Sequence, residues 1–357
     1  MSYTLCRKVR NLTPYEPIKG SYRIRLDANE SCFSLPDELR EQLGRLAAEM
    51  DYNRYPDPLA EQLCTAFGAA YGLSPELVTA GDGSDELISI ITGCLLEKGD
   101  PILTFSPDFS MYHFYGELAE HPVLVMEKDE DFGVDVDAVI RTIREQQVKM
   151  LIFSNPCNPA SVGLPRAEVR RLIRSTDALV VLDEAYMDFW DQSLLSEVEN
   201  YDNLIILKTC SKAVGMAGIR VGLAVAGKPL TRALRAVKSP YNVNSFSQEA
   251  AALILEQRDY LENCRNQLIA SRQALQQGCE ALAKAHPALF EKLWPSVTNF
   301  VLIRSGRAKE IWQALLARSI AVRCFDGFLR ITAGLPEENA AVLAALEEIL
   351  TEMEDKA

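Results

Sequence analysis

Lys212 lies in LKTCSKAVGMAGIRVG (207–222), a polar stretch between two apolar runs, LIIL (204–207) and VGLAVAG (221–227). A lysine there either stays solvated, as most lysines do, or is held in a pocket. In a pocket it sheds its proton and becomes an amine nucleophile able to form a Schiff base. Ser211 beside it and Arg220 further along the same string weight the second reading. A hydroxyl, a guanidinium and an amine together suit an anionic ligand such as a phosphate.

Asp183 closes the apolar run ALVVLD (178–183). A carboxylate buried there needs a cation or hydrogen-bond donors. Three roles fit: a cap for the next helix, the magnesium ligand of a P-loop NTPase, or a partner for the protonated ring nitrogen of pyridoxal phosphate. The P-loop string G-x-x-x-x-G-K-[ST] is absent. In GDGSDELISII (81–91) a glycine turn runs into an apolar helix, whose free N–H groups suit phosphate. Ser84 would equally serve there as an ordinary N-cap. The string is not the dinucleotide fingerprint, because Glu86 stands at the third glycine position.

These groups must be carried by strands. PILTF (101–105), MLIFS (150–154), ALVVLD (178–183) and LIILK (204–208) are short and apolar, with helical patterns at 136–147 and 166–175 between some of them. Strand–helix alternation with fully apolar strands predicts an α/β fold, a mostly parallel sheet covered by helices on both faces. Apolar positions Leu39, Leu43, Leu46, Ala47 and Met50 repeat at helical spacing, as do Leu59, Leu63, Ala66, Phe67 and Ala70. The four strands run into SPDFSMY (106–112), SNPCNP (154–159), DEAYMDF (183–189) and KTCSK (208–212). Open α/β sheets bind ligands at that edge. Turn chemistry alone would also explain such residues, but four polar ends on one edge favour a site.

Beyond residue 240 a helix-rich stretch (247–285) precedes TNFVLIR (298–304), a helix near 308–318, FLRIT (328–332) and a closing helix (336–353). The expected organisation is an N-terminal arm (1–30) joining a smaller α/β C-terminal domain (244–357), with a larger domain over 31–243.

Composition narrows the chemistry. The chain has 357 residues, 48% hydrophobic and 24% charged, and a net charge of −13. That charge argues against nucleic acid or an anionic membrane surface as partner. No run of 18 apolar residues predicts a membrane span. The opening MSYTLCRKVRNLTPYEP lacks a signal core, so a cytoplasmic location is expected. Nine cysteines without a C-x-x-C pair read as reduced thiols, and three histidines without metal spacing imply no metal. With no G-x-S-x-G string either, chemistry by Lys, Asp, Tyr and Arg is the expectation.

Taken together, VRNLTPYEP (9–17), LDANES (26–31), RYPDP (54–58), GDGSDE (81–86), NPCNP (155–159), VVLDEAYMDF (180–189), TCSKAVGMAGIRVG (209–222), PYNVN (240–244), TNF (298–300) and LRITAG (329–334) resemble, in order, the class I/II aminotransferase family of pyridoxal-phosphate enzymes (fold type I). The resemblance implies pyridoxal 5'-phosphate as cofactor, joined to Lys212, with Asp183 on its ring nitrogen. It implies Tyr186 and Asn158 at the ring hydroxyl, Phe109 on the ring face, and Ser84, Asp85, Thr209, Ser211 and Arg220 around the phosphate. Tyr55 would reach that phosphate from a second copy in a homodimer. Tyr15, Asn29, Arg323 and Arg330 would bind substrates: a phosphorylated amino alcohol, with Arg323 and Tyr15 at its phosphate, and glutamate or 2-oxoglutarate, with Arg330 at its carboxylate. A decarboxylase of a phosphorylated amino acid, an aromatic-amino-acid transaminase and a non-catalytic regulator are alternatives on the same fold. The family's usual N-N-P-[TS]-G stands here as Cys157-Asn158-Pro159-Ala160-Ser161, and its common ring-stacking tyrosine is Phe109.

Overall fold

A seven-stranded sheet forms because its strands are apolar on both faces and helices cover both. In the computed structural model, which describes residues 3–356 except 11, 15 and 17, the strands are β1 (Ile24–Leu26), β2 (Val78–Asp82), β3 (Ile102–Ser106), β4 (Val123–Glu127), β5 (Met150–Ser154), β6 (Leu179–Asp183), β7 (Leu204–Thr209), β8 (Val221–Ala226), β9 (Lys292–Leu293), β10 (Phe300–Arg304), β11 (Ile320–Phe325) and β12 (Phe328–Thr332). The larger sheet runs β2-β8-β7-β6-β5-β3-β4. Side chains alternate between its faces. Leu103, Leu151, Phe153, Val180, Leu182 and Ile206 join one buried cluster. Ile102, Met150, Ile152, Val181, Ile205 and Leu207 join the cluster on the opposite face.

The pairs β3/β4, β3/β5, β5/β6 and β6/β7 are parallel. Only β8 runs against its neighbours, β7 and β2. Its reversal follows from the short 210–220 connection: a parallel return needs a crossover of about a dozen residues or more, usually a helix. The consequence for chemistry is direct. The β7–β8 connection carries Lys212 and stays on the sheet edge where β3, β5, β6 and β7 end. Register places the end of β2 there too, with Asp82 opposite Val221.

The second sheet runs β1-β11-β12-β10-β9, antiparallel except where β1 joins β11. Ile24, Leu26, Val301, Ile303, Ile331 and Leu346 lie in its core. The helix Ser245–Leu255 buries Ala251, Ala252, Ile254 and Leu255 in the core of the larger sheet. The helix Arg258–Ala285, roughly 42 Å long at its usual rise, spans both units. Its Leu268 packs with Tyr186 and Phe300, and its Leu275, Cys279 and Leu282 lie in the core of the second sheet. Among the described residues no helix is long and apolar enough to cross a membrane.

Candidate active site

Asp183 ends β6 beside Ser154, which ends β5. It is 4% exposed. The Tyr112 hydroxyl donates to its Oδ2 at 2.8 Å, and the Ala185 amide donates to Oδ1 at 2.9 Å. Burial pushes its pKa up to about 6, against the pull of those two donors. Both donors are neutral, and no Lys or Arg of the described residues forms an ion pair with this carboxylate. A cationic group bound beside this carboxylate would pair with it.

Lys212, half-buried, follows β7. Its Nζ donates to the carbonyl of Ala28 at 2.9 Å and stands 5.8 Å from the centroid of the Tyr186 ring. The Tyr186 hydroxyl accepts from Asn29 Nδ2 at 2.9 Å, so its own proton is free to point elsewhere. Asn29 is buried, in a left-handed backbone with φ 54°. Thr332 holds it twice, accepting from the Asn29 amide at 3.0 Å and donating to Oδ1 at 3.1 Å. Arg330, also buried, donates to Asn158 Oδ1 and, at 2.8 Å, to the carbonyl of Asp27. The segment 27–29 therefore joins Lys212, Tyr186, Arg330 and Thr332 at one point.

The second focus is the start of the helix Gly83–Cys94. Asp82, not Ser84, occupies the position before its first residue; Ser84 and Asp85 lie within the first turn, where amides have no intrahelical acceptor. Gly222 of β8 packs against this turn so closely that a Cβ would collide with the backbone of Gly83 and Ser84. Gly83, at φ +74°, leaves room for Arg220, whose Nη2 would come within 2.6 Å of any Cβ there. Arg220, itself left-handed at φ 53°, donates to Ser211 Oγ at 3.4 Å. The Ser211 amide donates to Thr209 Oγ1 at 3.1 Å. Asp85 Oδ1 is buried without a hydrogen-bond partner, and burial raises the pKa of its carboxyl while Arg220 opposes that rise. Open amides, a guanidinium and hydroxyls around a glycine-made hollow fit a phosphate.

Phe109 lies edge-on to Tyr112, with ring centroids 5.5 Å apart, just outside β3. Arg323 and Arg330 face each other across β11 and β12, joined by the tight turn at Asp326 and Gly327. Two guanidiniums in register repel unless something anionic or aromatic lies between. Phe325 supplies an aromatic face, 5.9 Å from Arg323 and 5.5 Å from Arg330. Tyr55 stands apart from this cluster, 80% exposed and stacked on Tyr241 at 4.5 Å. It borders a surface groove of about 1020 Å³ that Arg54, Glu249 and Leu253 also line. Tyr15 lies outside the described residues. Sequence reasoning passed over Tyr112, although it stands one helical turn after Phe109 in a quoted string, and over Asp27 and Thr332.

A sequence profile described as Aminotransferase class I and II matches residues 23–346. The histidinol-phosphate aminotransferase of Clostridium novyi (strain NT) is 38% identical over 353 residues, which is 97% of this chain and 98% of that protein. That of Clostridium kluyveri (strain ATCC 8527 / DSM 555 / NBRC 12016 / NCIMB 10680 / K1) is 36% identical over 349 residues, 96% of this chain and 98% of that one. In fold, the chain superposes with a TM-score of 0.85 on the histidinol-phosphate aminotransferase of Sinorhizobium meliloti, solved in complex with pyridoxal-5'-phosphate, at 23% identity and 98% coverage of both. With a family match over most of its length, and a mostly parallel sheet whose strand ends gather Lys212, the buried Asp183 and Arg220, the chain belongs to the aminotransferase class I and II family.

Proposed function

We propose that this aminotransferase uses pyridoxal 5'-phosphate to exchange an amino group between histidinol phosphate and 2-oxoglutarate, with glutamate as the other amino compound, as in histidine biosynthesis. The observation that carries the cofactor is Asp183, a buried carboxylate that among the described residues meets only neutral donors, at the edge that also holds Lys212 and Arg220. Bound there, pyridoxal phosphate supplies an aldehyde that takes up the amino group and a protonated ring that draws electron density from the substrate Cα. Asp183, ionised, keeps a proton on the ring nitrogen by charge pairing. Tyr186, whose hydroxyl already accepts from Asn29, has a proton to give to the ring hydroxyl oxygen, and Asn158 joins it there. Phe109 covers a ring face. Ser84, Asp85, Thr209, Ser211 and Arg220 hold the phosphate through amides, hydroxyls and one guanidinium.

Lys212 Nζ would take the proton from the substrate Cα and pass it to the carbon that was the cofactor's aldehyde carbon, a transfer typically worth about 10²–10⁴-fold in rate. Arg330 and Arg323 answer the substrates' negative charges. Histidinol phosphate has a phosphate and no carboxylate; glutamate has carboxylates and no phosphate. Arg330, at the heart of the network, serves the carboxylate, and Arg323 with Tyr15 serves the phosphate ester. Asn29 frames the amino end of the substrate. The curated relatives share this substrate in their name, which supports the choice.

The proposed organisation is the arm 1–30 with residues 244–357 as one unit and 31–243 as the other, with the helix Ser245–Leu255 packed on the larger. The proposed assembly is a homodimer in the cytoplasm, with exposed Tyr55 reaching the phosphate of a second copy. Two assays test the reading. Borohydride reduction of the loaded protein should attach the cofactor to the peptide holding Lys212; an unlabelled Lys212 ends the cofactor assignment. Histidinol phosphate with 2-oxoglutarate should yield glutamate faster than phenylalanine does. Carbon dioxide from threonine phosphate, or a preference for aromatic amino acids, would replace the proposed substrate.

A further inference from the structure

The segment from Lys128 to Gly133, between β4 and the helix Val136–Glu145, is fastened at both ends, and its two fastenings lie on different sheets. At one end the Lys128 side chain, 3% exposed, donates to Asp108 Oδ2 at 3.3 Å and to Cys157 Sγ at 2.8 Å, while its amide donates to the Ser106 carbonyl at 2.8 Å. Asp108 also accepts from Ser154 Oγ and from the Phe109 amide. This buried pair therefore ties down the two loops that carry Phe109 and Asn158. At the other end Phe132 packs on Trp294 at 4.7 Å and on Phe328 at 6.1 Å, and Lys292 pairs with Asp131 at 2.5 Å. Phe328 opens β12, two residues before Arg330, and stands opposite Phe325, whose ring lies 5.9 Å from Arg323 and 5.5 Å from Arg330.

Between the fastenings the turn is preformed. Asp129 Oδ1 accepts from the amides of Asp131 at 2.9 Å and Gly133 at 2.7 Å. Phe132 is held at φ 60°, a left-handed backbone that costs a bulky residue free energy and persists where the surroundings fix it. Glycine would adopt that backbone without cost. A phenylalanine kept there points to a use for its ring.

We infer that residues 128–133 are a positioning strap, with Phe132 as the positioning residue that holds the Arg323–Arg330 hairpin against the cofactor-side loops and so sets affinity for the anionic substrate. The strap reaches the hairpin at Phe328, which pairs with Phe325 beside both arginines. The inference rests on the proposed reading of Arg323 and Arg330 as the substrate's anion-binding pair.

The test uses the full-length, cofactor-loaded protein with Phe132→Gly, which removes the ring and relieves the backbone, and Phe132→Tyr, which keeps the ring. Hydrogen exchange should quicken across 323–330 in Phe132→Gly and stay unchanged in β5, β6 and β7. With histidinol phosphate as probe, KM should rise about fivefold to twentyfold with kcat within about twofold, from two lost aromatic contacts. Phe132→Tyr should match the wild type in both measurements. Unchanged exchange in the hairpin overturns the strap, whatever the substrate. So does faster exchange spread over both sheets, which marks Phe132 as merely structural, or a fall in kcat with KM unmoved. If the hairpin loosens while Arg323→Gln leaves KM for histidinol phosphate unaltered, the strap stands and the substrate reading fails.

Discussion

Replacing Asp183 with asparagine should stabilise the cofactor-free protein at neutral pH. The carboxyl is buried and its pKa is raised from 3.8 to about 6, with burial the dominant cause and hydrogen bonds from Tyr112 and Ala185 opposing it. A carboxyl whose folded value lies above its unfolded one prefers its proton in the fold. Between those two values the folded chain holds more protons than the unfolded one, so stability falls as pH rises from 3.8 through 6. At about 1.4 kcal/mol per pH unit, the ionised carboxylate costs about 3 kcal/mol by pH 8. At pH 5 only about half of that cost has developed. Asparagine keeps an acceptor for the Ala185 amide and carries no charge. Asp183→Asn should therefore exceed the wild type by up to about 3 kcal/mol at pH 8 and by about half as much at pH 5. Urea unfolding of both cofactor-free proteins at the two pH values measures this. An advantage that does not shrink on acidification, or none at pH 8, would mean that the buried carboxylate carries no such cost. The same substitution should weaken pyridoxal phosphate binding, since the stored cost is what a cationic ring would relieve.

Tyr112→Phe removes one donor from the Asp183 carboxylate; a hydrogen bond to a charged group is worth about 1.5–3 kcal/mol. The pKa of Asp183 should climb further, so cofactor affinity should drop more at pH 6 than at pH 8.5, and an equal drop at both would dismiss the charge argument. Arg220→Gln should raise the Kd for pyridoxal phosphate about tenfold to a hundredfold while sparing pyridoxal, which lacks the phosphate; equal losses for the two would place Arg220 elsewhere. Gly222→Ala should lower stability by about 2 kcal/mol or more, because its methyl meets backbone at Gly83 and Ser84; an unaltered melting temperature would show that the turn yields.

The strands that carry the site were legible because each is a short, wholly apolar run: β5 spans the expected 150–154, and β3, β6 and β7 fall within a residue of their expected ends. The reversal of β8 was not legible, since VGLAVAG reads alike in either direction and only the length of the preceding connection decides. Helix spacing found Asp37–Glu49, where Leu39 is buried and Leu43, Leu46 and Ala47 are half-buried, but Met50 falls just past its end, and Leu59 counted toward the next helix and lies before it, exposed. Long-range pairings left no local trace. Asn29 meets Tyr186 at 157 residues' separation and Thr332 at 303. Nor does the string from Arg323 to Arg330 announce the hairpin that sets the two side by side.

The parallel pairing of β1 with β11 has a bearing on synthesis. Ile24 finds its partner only at Ile320, so the segment leading to Ala28 and Asn29 emerges early and waits. At ordinary ribosomal speeds that interval lasts roughly 15 to 60 s. Until the last strands appear, the amine at 212 has no carbonyl from Ala28 to rest on and the tyrosine at 186 no amide to steady it. A nascent polypeptide thus holds Asp183, Tyr186 and Lys212 well before the contacts that place the last two can form.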